Sequence, residues 1–295
     1  MKKRVISLLL ALVLALGLLP TAAFAAGTDI SALPEFSEGA DTSTIQKFKI
    51  SSADSLKALA TAVKENDGKG AYNLKGLTFY LANDIELSGT WTPISNVTYP
   101  ADAFAGTFDG NGHTISGLNG SNGLFGFVNG ATIKNLKVEG TISGTSANVG
   151  GIVGKTQGKV TITNCSFTGS VSTSKSGSSN AAGGIVGRVN AGTLKVENCA
   201  NHATVTAEKA SAAGIIGYGG SNKVTITNCY NDGAISGQWY PSGICAQNTK
   251  GTSKIQECFN SGSIRKTNDG TYCAGISANF KGEATNCYRT EPSSD

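Results

Sequence analysis

The chain has 295 residues, 39 of them glycine, with six prolines, one methionine and 39% apolar residues. This is too apolar for a disordered chain and too β-branched for a helical protein. The formal charge is +4, but three of the 24 basic residues stand at positions 2–4, and the rest of the chain carries 21 basic against 20 acidic side chains. A near-neutral body without basic clusters excludes nucleic acid and anionic membrane as partners.

Lys2, Lys3 and Arg4 precede an apolar run from Val5 to Leu19, and Ala23-Phe24-Ala25 supplies an A-x-A site. Residues 1–25 therefore read as a cleaved signal peptide, which makes the protein secreted or extracellular. The run is shorter than the roughly 20 residues of a spanning helix, so no transmembrane segment is expected after cleavage. Residues 26–47 lack periodicity and read as an extended lead-in. Within 48–76, Ser52 to Asn66 reads as a helix, because Leu56, Leu59, Ala60 and Val63 form one apolar stripe. Ser51 or Ser52 can cap its start and Gly68 or Gly70 its end. A single amphipathic helix ahead of a repeat array suits an N-terminal cap.

From Leu77 the period changes to two. A Gly-apolar-apolar-Gly/Ala tetrad then returns six times, starting at Gly123, Gly151, Gly184, Gly214, Gly243 and Gly275, at spacings of 28 to 33 residues. Such a period means one unit stacked on copies of itself. The second copy divides into three short strands, Gly151–Gly154, Lys159–Asn164 and Gly169–Ser172. Three strands per turn of about 30 residues describe an all-β fold, a right-handed parallel β-helix. Two earlier turns, Leu77–Leu87 and Trp91–Leu118, bring the solenoid over 77–289 to about eight rungs. Residues 290–295 form a tail.

A second column follows each tetrad: Asn135-Leu136, Asn164-Cys165, Asn198-Cys199, Asn228-Cys229, Glu257-Cys258 and Asn286-Cys287. Asparagine tolerates left-handed backbone at a turn, and its amide can bond its counterpart one rung away. These asparagines read as a structural ladder interrupted by Glu257, and the cysteines as a small buried apolar column. Seven cysteines in a secreted chain ordinarily suggest disulfides. Stacked parallel Cβ vectors are held farther apart than the ~3.8 Å a disulfide prefers, which favours reduced thiols in the column. Cys245 and Cys273 stand outside it and are the pair to consider if any bridge forms. No C-x-x-C or nearby histidine accompanies these residues, so no metal site and no cofactor are expected.

In these features the chain resembles the GLUG-motif β-helix repeats of bacterial surface proteins. The tetrad GLFG at Gly123 carries the likeness, with DSLKALATAV, LTFYLANDIEL, WTPI and the stretch FAGTFDGNGHTISGL from Phe104 to Leu118. It covers about residues 48–289, and the signal segment is similar to those of gut Clostridia. The closing glycine is replaced in GICA and GISA, where the last rungs depart from the motif. The resemblance implies a stalk, an adhesive rod or a scaffold beside IgA-peptidase-type domains. It does not transfer peptidase activity, which needs an H-E-x-x-H helix; His113 and His202 stand in unrelated contexts.

No catalytic residue is expected. A carbohydrate-active β-helix, a polysaccharide lyase or hydrolase, is the alternative, and it needs clustered carboxylates on one face. Asp109 in FDGNGH is the best acidic candidate, but Asp and Asn beside Gly are ordinary turn chemistry. Asp84 and Asp232 read as turn or surface residues, and no Ser/His/Asp set falls at matching positions. Binding has more support. Tyr230, Phe259 and Tyr288 directly follow column cysteines, so alternation sends these rings outward on three successive rungs. Tyr240 and Tyr272 each precede a tetrad by three residues, with Trp239 beside the first. This aromatic face is the candidate contact for a glycan or a host or cell-surface protein, the alternative being that the rings pack under loops and on each other. The final strand leaves an open β edge, which implies continuation into further domains or edge-to-edge association.

Overall fold

The computed structural model describes residues 28–29, 47–64, 74–95, 103–145, 147–267 and 272–290. The signal segment, most of the lead-in, Gly68, Gly70 and nearly all of the tail lie outside the described residues.

The described residues form a parallel β-solenoid of about eight turns with one short helix. Each turn begins at its tetrad and runs along three faces. The first face stacks Phe125–Asn129, Val153–Gln157, Val186–Val189 and Ile216–Tyr218, all parallel. On the second face, eight strand segments lie in one parallel ladder, from Thr78–Leu81 through Thr107–Asp109 to Glu283–Thr285. The third face carries the segments after the asparagine corner, such as Tyr230–Asn231 above Ala200–Asn201. The ladder also begins upstream of residue 77, because Lys47–Ile50 pairs with Thr78–Leu81 and Thr28–Asp29 pairs with Phe48 and Lys49.

The helix α1 spans Ala53–Lys64. Ser52 caps it reciprocally: the Ser55 N–H donates to Ser52 Oγ at 3.1 Å and the Ser52 N–H to Ser55 Oγ at 3.0 Å. Leu56, Leu59 and Val63 are fully buried in the same core cluster as Phe48 and Phe79. Each such side chain contributes on the order of 1.5–3 kcal/mol of burial, so tertiary packing, more than intrinsic propensity, holds this helix.

In two repeats, Thr132–Gly144 and Lys159–Thr173, the second and third strands are one continuous element. Lys159–Thr173 runs for 15 residues and turns at Asn164, whose φ is 54°. Asn135, Asn198, Asn228, Glu257 and Asn286 share this left-handed conformation, with φ between 52° and 54° except for 51° at Asn228. The corner is thus made by one residue's backbone, and the ladder continues on both sides of it.

The first glycine of each tetrad has a packing cause. A Cβ on Gly151 would collide with the Phe167 ring and the Gly184 carbonyl. On Gly184, Gly214 and Gly243 it would collide with the side chains of Asn201, Asn231 and Asn260. At these four tetrads the first residue is glycine because the third face presses a large inward side chain against it; at Gly123 the clash is with backbone carbonyls and φ is 110°. The early turns fill the core with rings: Phe48 stacks on Phe79 at 5.2 Å, and Phe125 meets Phe104 and Phe108, each at 5.3 Å.

Candidate functional site

The asparagine corner forms a side-chain ladder along its first half. Asn135 Nδ2 donates to Asp109 Oδ1 at 3.0 Å, Asn164 Nδ2 to Asn135 Oδ1 at 3.0 Å, and Asn198 Nδ2 to Asn164 Oδ1 at 3.1 Å. Asn228 and Glu257 keep the corner through their backbone N–H groups, which donate to Gln256 and Thr285 carbonyls. Inward of it, Cys165, Cys199, Cys229 and Cys258 are buried and Cys287 is half-buried. Each thiol donates to the carbonyl two residues before it, at 3.2–3.3 Å. All seven cysteines are free; Cys245 is buried and Cys273 exposed, which separates the two considered for a bridge. Burial pushes the Cys245 thiol up to about 12.

Outside the same strands lies an aromatic strip. Tyr230 is in register with Phe259, and Phe259 with Tyr288. The Tyr230 and Phe259 rings are stacked, 5.6 Å apart and 10° from parallel, and Tyr230 Oη lies 2.7 Å from Ser261 Oγ. A second stack joins Tyr240 and Tyr272 at 6.4 Å. Trp239 is half-buried and faces Ser211, where the ladder register shifts. Among the described residues, the exposed large apolar side chains are Phe259 at 36%, Tyr272 at 64% and Tyr288 at 66%. All three lie in the last two turns. A groove of about 520 Å³ opens at the same end of the solenoid, lined among others by Asn260, Ile264, Cys273 and Arg289 and by none of the three rings. This end of the molecule combines concavity, exposed rings and polar edges.

The structure gives each histidine a carboxylate partner at the surface. His202 Nδ1 lies 2.9 Å from both carboxylate oxygens of Asp232, and His113 Nδ1 lies 3.1 Å from Asp84 Oδ1. Asp84 and Asp232 are therefore paired residues, each with a histidine from an adjacent turn. The Thr114 N–H, then His113, hold the Asp84 carboxyl below the usual range. Asp109 keeps a structural role. Burial alone would raise its carboxyl, but hydrogen bonds from Asn135 and Asn111 and the Lys134 ammonium at 3.1 Å hold it below the ordinary carboxylate value. Among the described residues no three His, Cys, Asp or Glu side chains converge on one point, and no helix is long and apolar enough to cross a membrane.

A second amide column escaped the sequence reading. Asn201, Asn231 and Asn260 are buried inside the third face. Asn201 Nδ2 donates to Asn231 Oδ1 at 2.7 Å and Asn231 Nδ2 to Asn260 Oδ1 at 2.6 Å. Each also donates to the carbonyl two residues on, at 2.9–3.0 Å. The buried amide nitrogens of Asn201 and Asn231 thus each have two acceptors. The signal was present as C-x-N in CAN, CYN and CFN, two residues past the column cysteine.

Over 110 residues the chain is 38% identical to halomucin of Haloquadratum walsbyi, a stretch that is 35% of this chain and 1% of that protein. The fold is similar to a crystal structure described as a candidate immunoglobulin A1 protease from Bacteroides ovatus, with a TM-score of 0.66 and 23% identity over 87% of this chain and 78% of that one. It is also similar to an IgA1 protease, with a TM-score of 0.58 and 15% identity over 86% of this chain and 20% of that one. At these identities the likeness is one of fold alone. Residues 145–172, which hold the Gly151 tetrad and the Asn164-Cys165 corner, match the family model of the GLUG motif.

Proposed function

We propose that the chain is an extracellular, non-catalytic β-solenoid module that contacts a glycan or a host or cell-surface protein through its C-terminal aromatic strip. The concentration of exposed rings on the last two turns, at the end where a groove opens, is the observation that carries this reading. Exposed ion pairs on the earlier turns, such as Lys195–Glu197, add little energy. The Tyr230 and Phe259 rings cover each other's faces and offer edges, whereas Tyr288 and Tyr272 keep more of their rings in solvent. The signal-like segment and the halomucin similarity support an extracellular setting, and the segment alone supports a gut-clostridial source. A polysaccharide-acting or peptidase role is the competing reading, since proteins of the same fold are described as proteases.

Binding of the chain to glycan arrays and to intact cells tests the proposal. The double variant Tyr230→Ala, Phe259→Ala should lose at least tenfold in binding while its circular dichroism is unchanged. Unaltered binding, or turnover of immunoglobulin A or a polysaccharide by the unmodified chain, would overturn it.

A further inference from the structure

The inner amide column ends on an unmet donor. Its inward position on the third face runs in register from Phe167 through Asn201, Asn231 and Asn260 to Arg289. Asn201 and Asn231 each give one amide hydrogen to the carbonyl two residues on and the other to the oxygen of the next asparagine. Asn260 repeats the first bond, Nδ2 to the Gly262 carbonyl at 3.0 Å, and its Oδ1 accepts from Asn231. The next rung holds an arginine, which has donors and no acceptor. The second hydrogen of Asn260 Nδ2 therefore finds no acceptor among the described residues, on a residue only 3% exposed. Buried polar hydrogens are ordinarily paired, so this one calls for an acceptor.

An amide donor and a cation meet at this point. Arg289 lays its stem across Gly275, where an added Cβ would collide with its Cδ, just as Asn260 crosses Gly243. Its guanidinium has no ion pair among the described residues. Asn260 and Arg289 both line the groove of about 520 Å³, a volume in the usual range of ligand sites. The outer ladder shows what completes such an end. There Asn135 Nδ2 donates to Asp109 Oδ1 at 3.0 Å, and Lys134 lies 3.1 Å from the other carboxylate oxygen. One amide donor and one cation thus hold a carboxylate. At the end of the inner column the chain supplies the amide and the cation, and no described side chain supplies the carboxylate.

We propose that the groove binds the carboxylate of a sugar acid, as part of an acidic glycan, between Asn260 Nδ2 and the Arg289 guanidinium. A planar guanidinium meets a carboxylate through two parallel N–H bonds, and the Asn260 amide adds a third donor. The hydroxyls of Ser261, Ser263 and Thr290 suit those of a sugar, and Ile264 offers an apolar surface to its ring. The site takes its ligand class, a glycan, from the reading above but shares no residue with it, since none of the exposed rings lines the groove.

Proton–nitrogen NMR of the whole labelled chain, titrated with D-glucuronate, tests the site. Binding should be saturable, with the Asn260 side-chain amide among the signals that move most, and D-glucose, the neutral counterpart, should not bind. Arg289 is exposed, so Arg289→Gln should keep the fold and lose at least tenfold in affinity. Arg289→Lys keeps the charge without the fork and should fall between the two. Circular dichroism checks the fold of each variant, and the Asn260 amide signals of the unmodified chain decide without any variant. The double variant Tyr230→Ala, Phe259→Ala should bind glucuronate as the unmodified chain does, so failure of the ring strip and failure of the groove give different results. No binding of glucuronate, equal binding of glucose, tighter binding of inorganic sulfate, full affinity in Arg289→Gln, or loss of glucuronate binding in the folded double ring variant would each overturn the proposal.

Discussion

The early and late turns share one backbone but place their rings on opposite sides of it. Up to Phe167, aromatic side chains fill the interior: Phe48, Phe79, Phe104, Phe108 and Phe125 are all fully buried. At Asn201, Asn231 and Asn260 the inward position that Phe167 held is taken by amides, and on the last turn by Arg289, while rings appear outside at Tyr230, Phe259 and Tyr288. The two arrangements are linked through the tetrad glycine, against which either a ring or an amide packs. One repeat therefore supports two cores. The first is apolar and tolerant of register; the second fixes neighbours by directional hydrogen bonds and frees its rings for the surface.

This contrast can be broken by mutation. The largest effect is expected at Phe125→Ala, which removes a ring in contact with two others and should cost about 3–5 kcal/mol. Tyr230→Ala on the late turns should cost about 1 kcal/mol, the worth of an aromatic pair without a large cavity. Chemical denaturation measures both, and equal losses would erase the distinction between buried and exported rings.

An intermediate effect sharpens the account of the late core. Asn231→Ala leaves Asn201 Nδ2 without its acceptor and Asn260 Oδ1 without its donor. The expected loss is about 1–3 kcal/mol, with faster amide exchange in Tyr230–Asn231 and in both neighbouring strands. A neutral substitution would show that these amides are passengers.

The smallest effect belongs to Asp109, at the foot of the outer ladder. Its folded carboxyl titrates below the unfolded one, so its contribution is present above the ordinary value near ~3.9 and fades as pH falls through the lower folded value. The stability gap between the unmodified chain and Asp109→Asn should therefore be open at pH 6 and close on acidification. A gap that widens in acid would reverse the assigned sign.

The sequence showed the architecture clearly because its cause is local and repeated. Glycine at Gly151 or Gly214 answers a backbone-scale collision, and no other residue meets it, so the tetrad is visible at every turn. The helix was visible for a similar reason, since Leu56, Leu59 and Val63 must share one face. The continuity of Lys159–Thr173 was hidden, because a single left-handed Asn164 interrupts the alternation without interrupting the ladder. Pairing of His202 with Asp232 was hidden by distance along the chain, 30 residues apart yet on adjacent rungs. The C-x-N placement of Asn201 and Asn231 does not by itself mark a core residue, since asparagine ordinarily marks a turn. Only burial distinguishes a turn amide from a core amide, and burial is a property of the stack rather than of the repeat.

The two amide columns also differ in polarity. In the outer one each nitrogen points toward the N-terminal end, and the last donates to the carboxylate of Asp109. The inner one points the other way, from Asn201 toward Asn260. Aligned amides act as a row of small dipoles, and a negative charge at the donor end of such a row is favourably placed, as at the start of a helix. Asp109 occupies that end of the outer row. Because the inner row is antiparallel to it, their axial fields oppose each other, and the rod acquires directional bonding along its length without becoming an electrically polarised one.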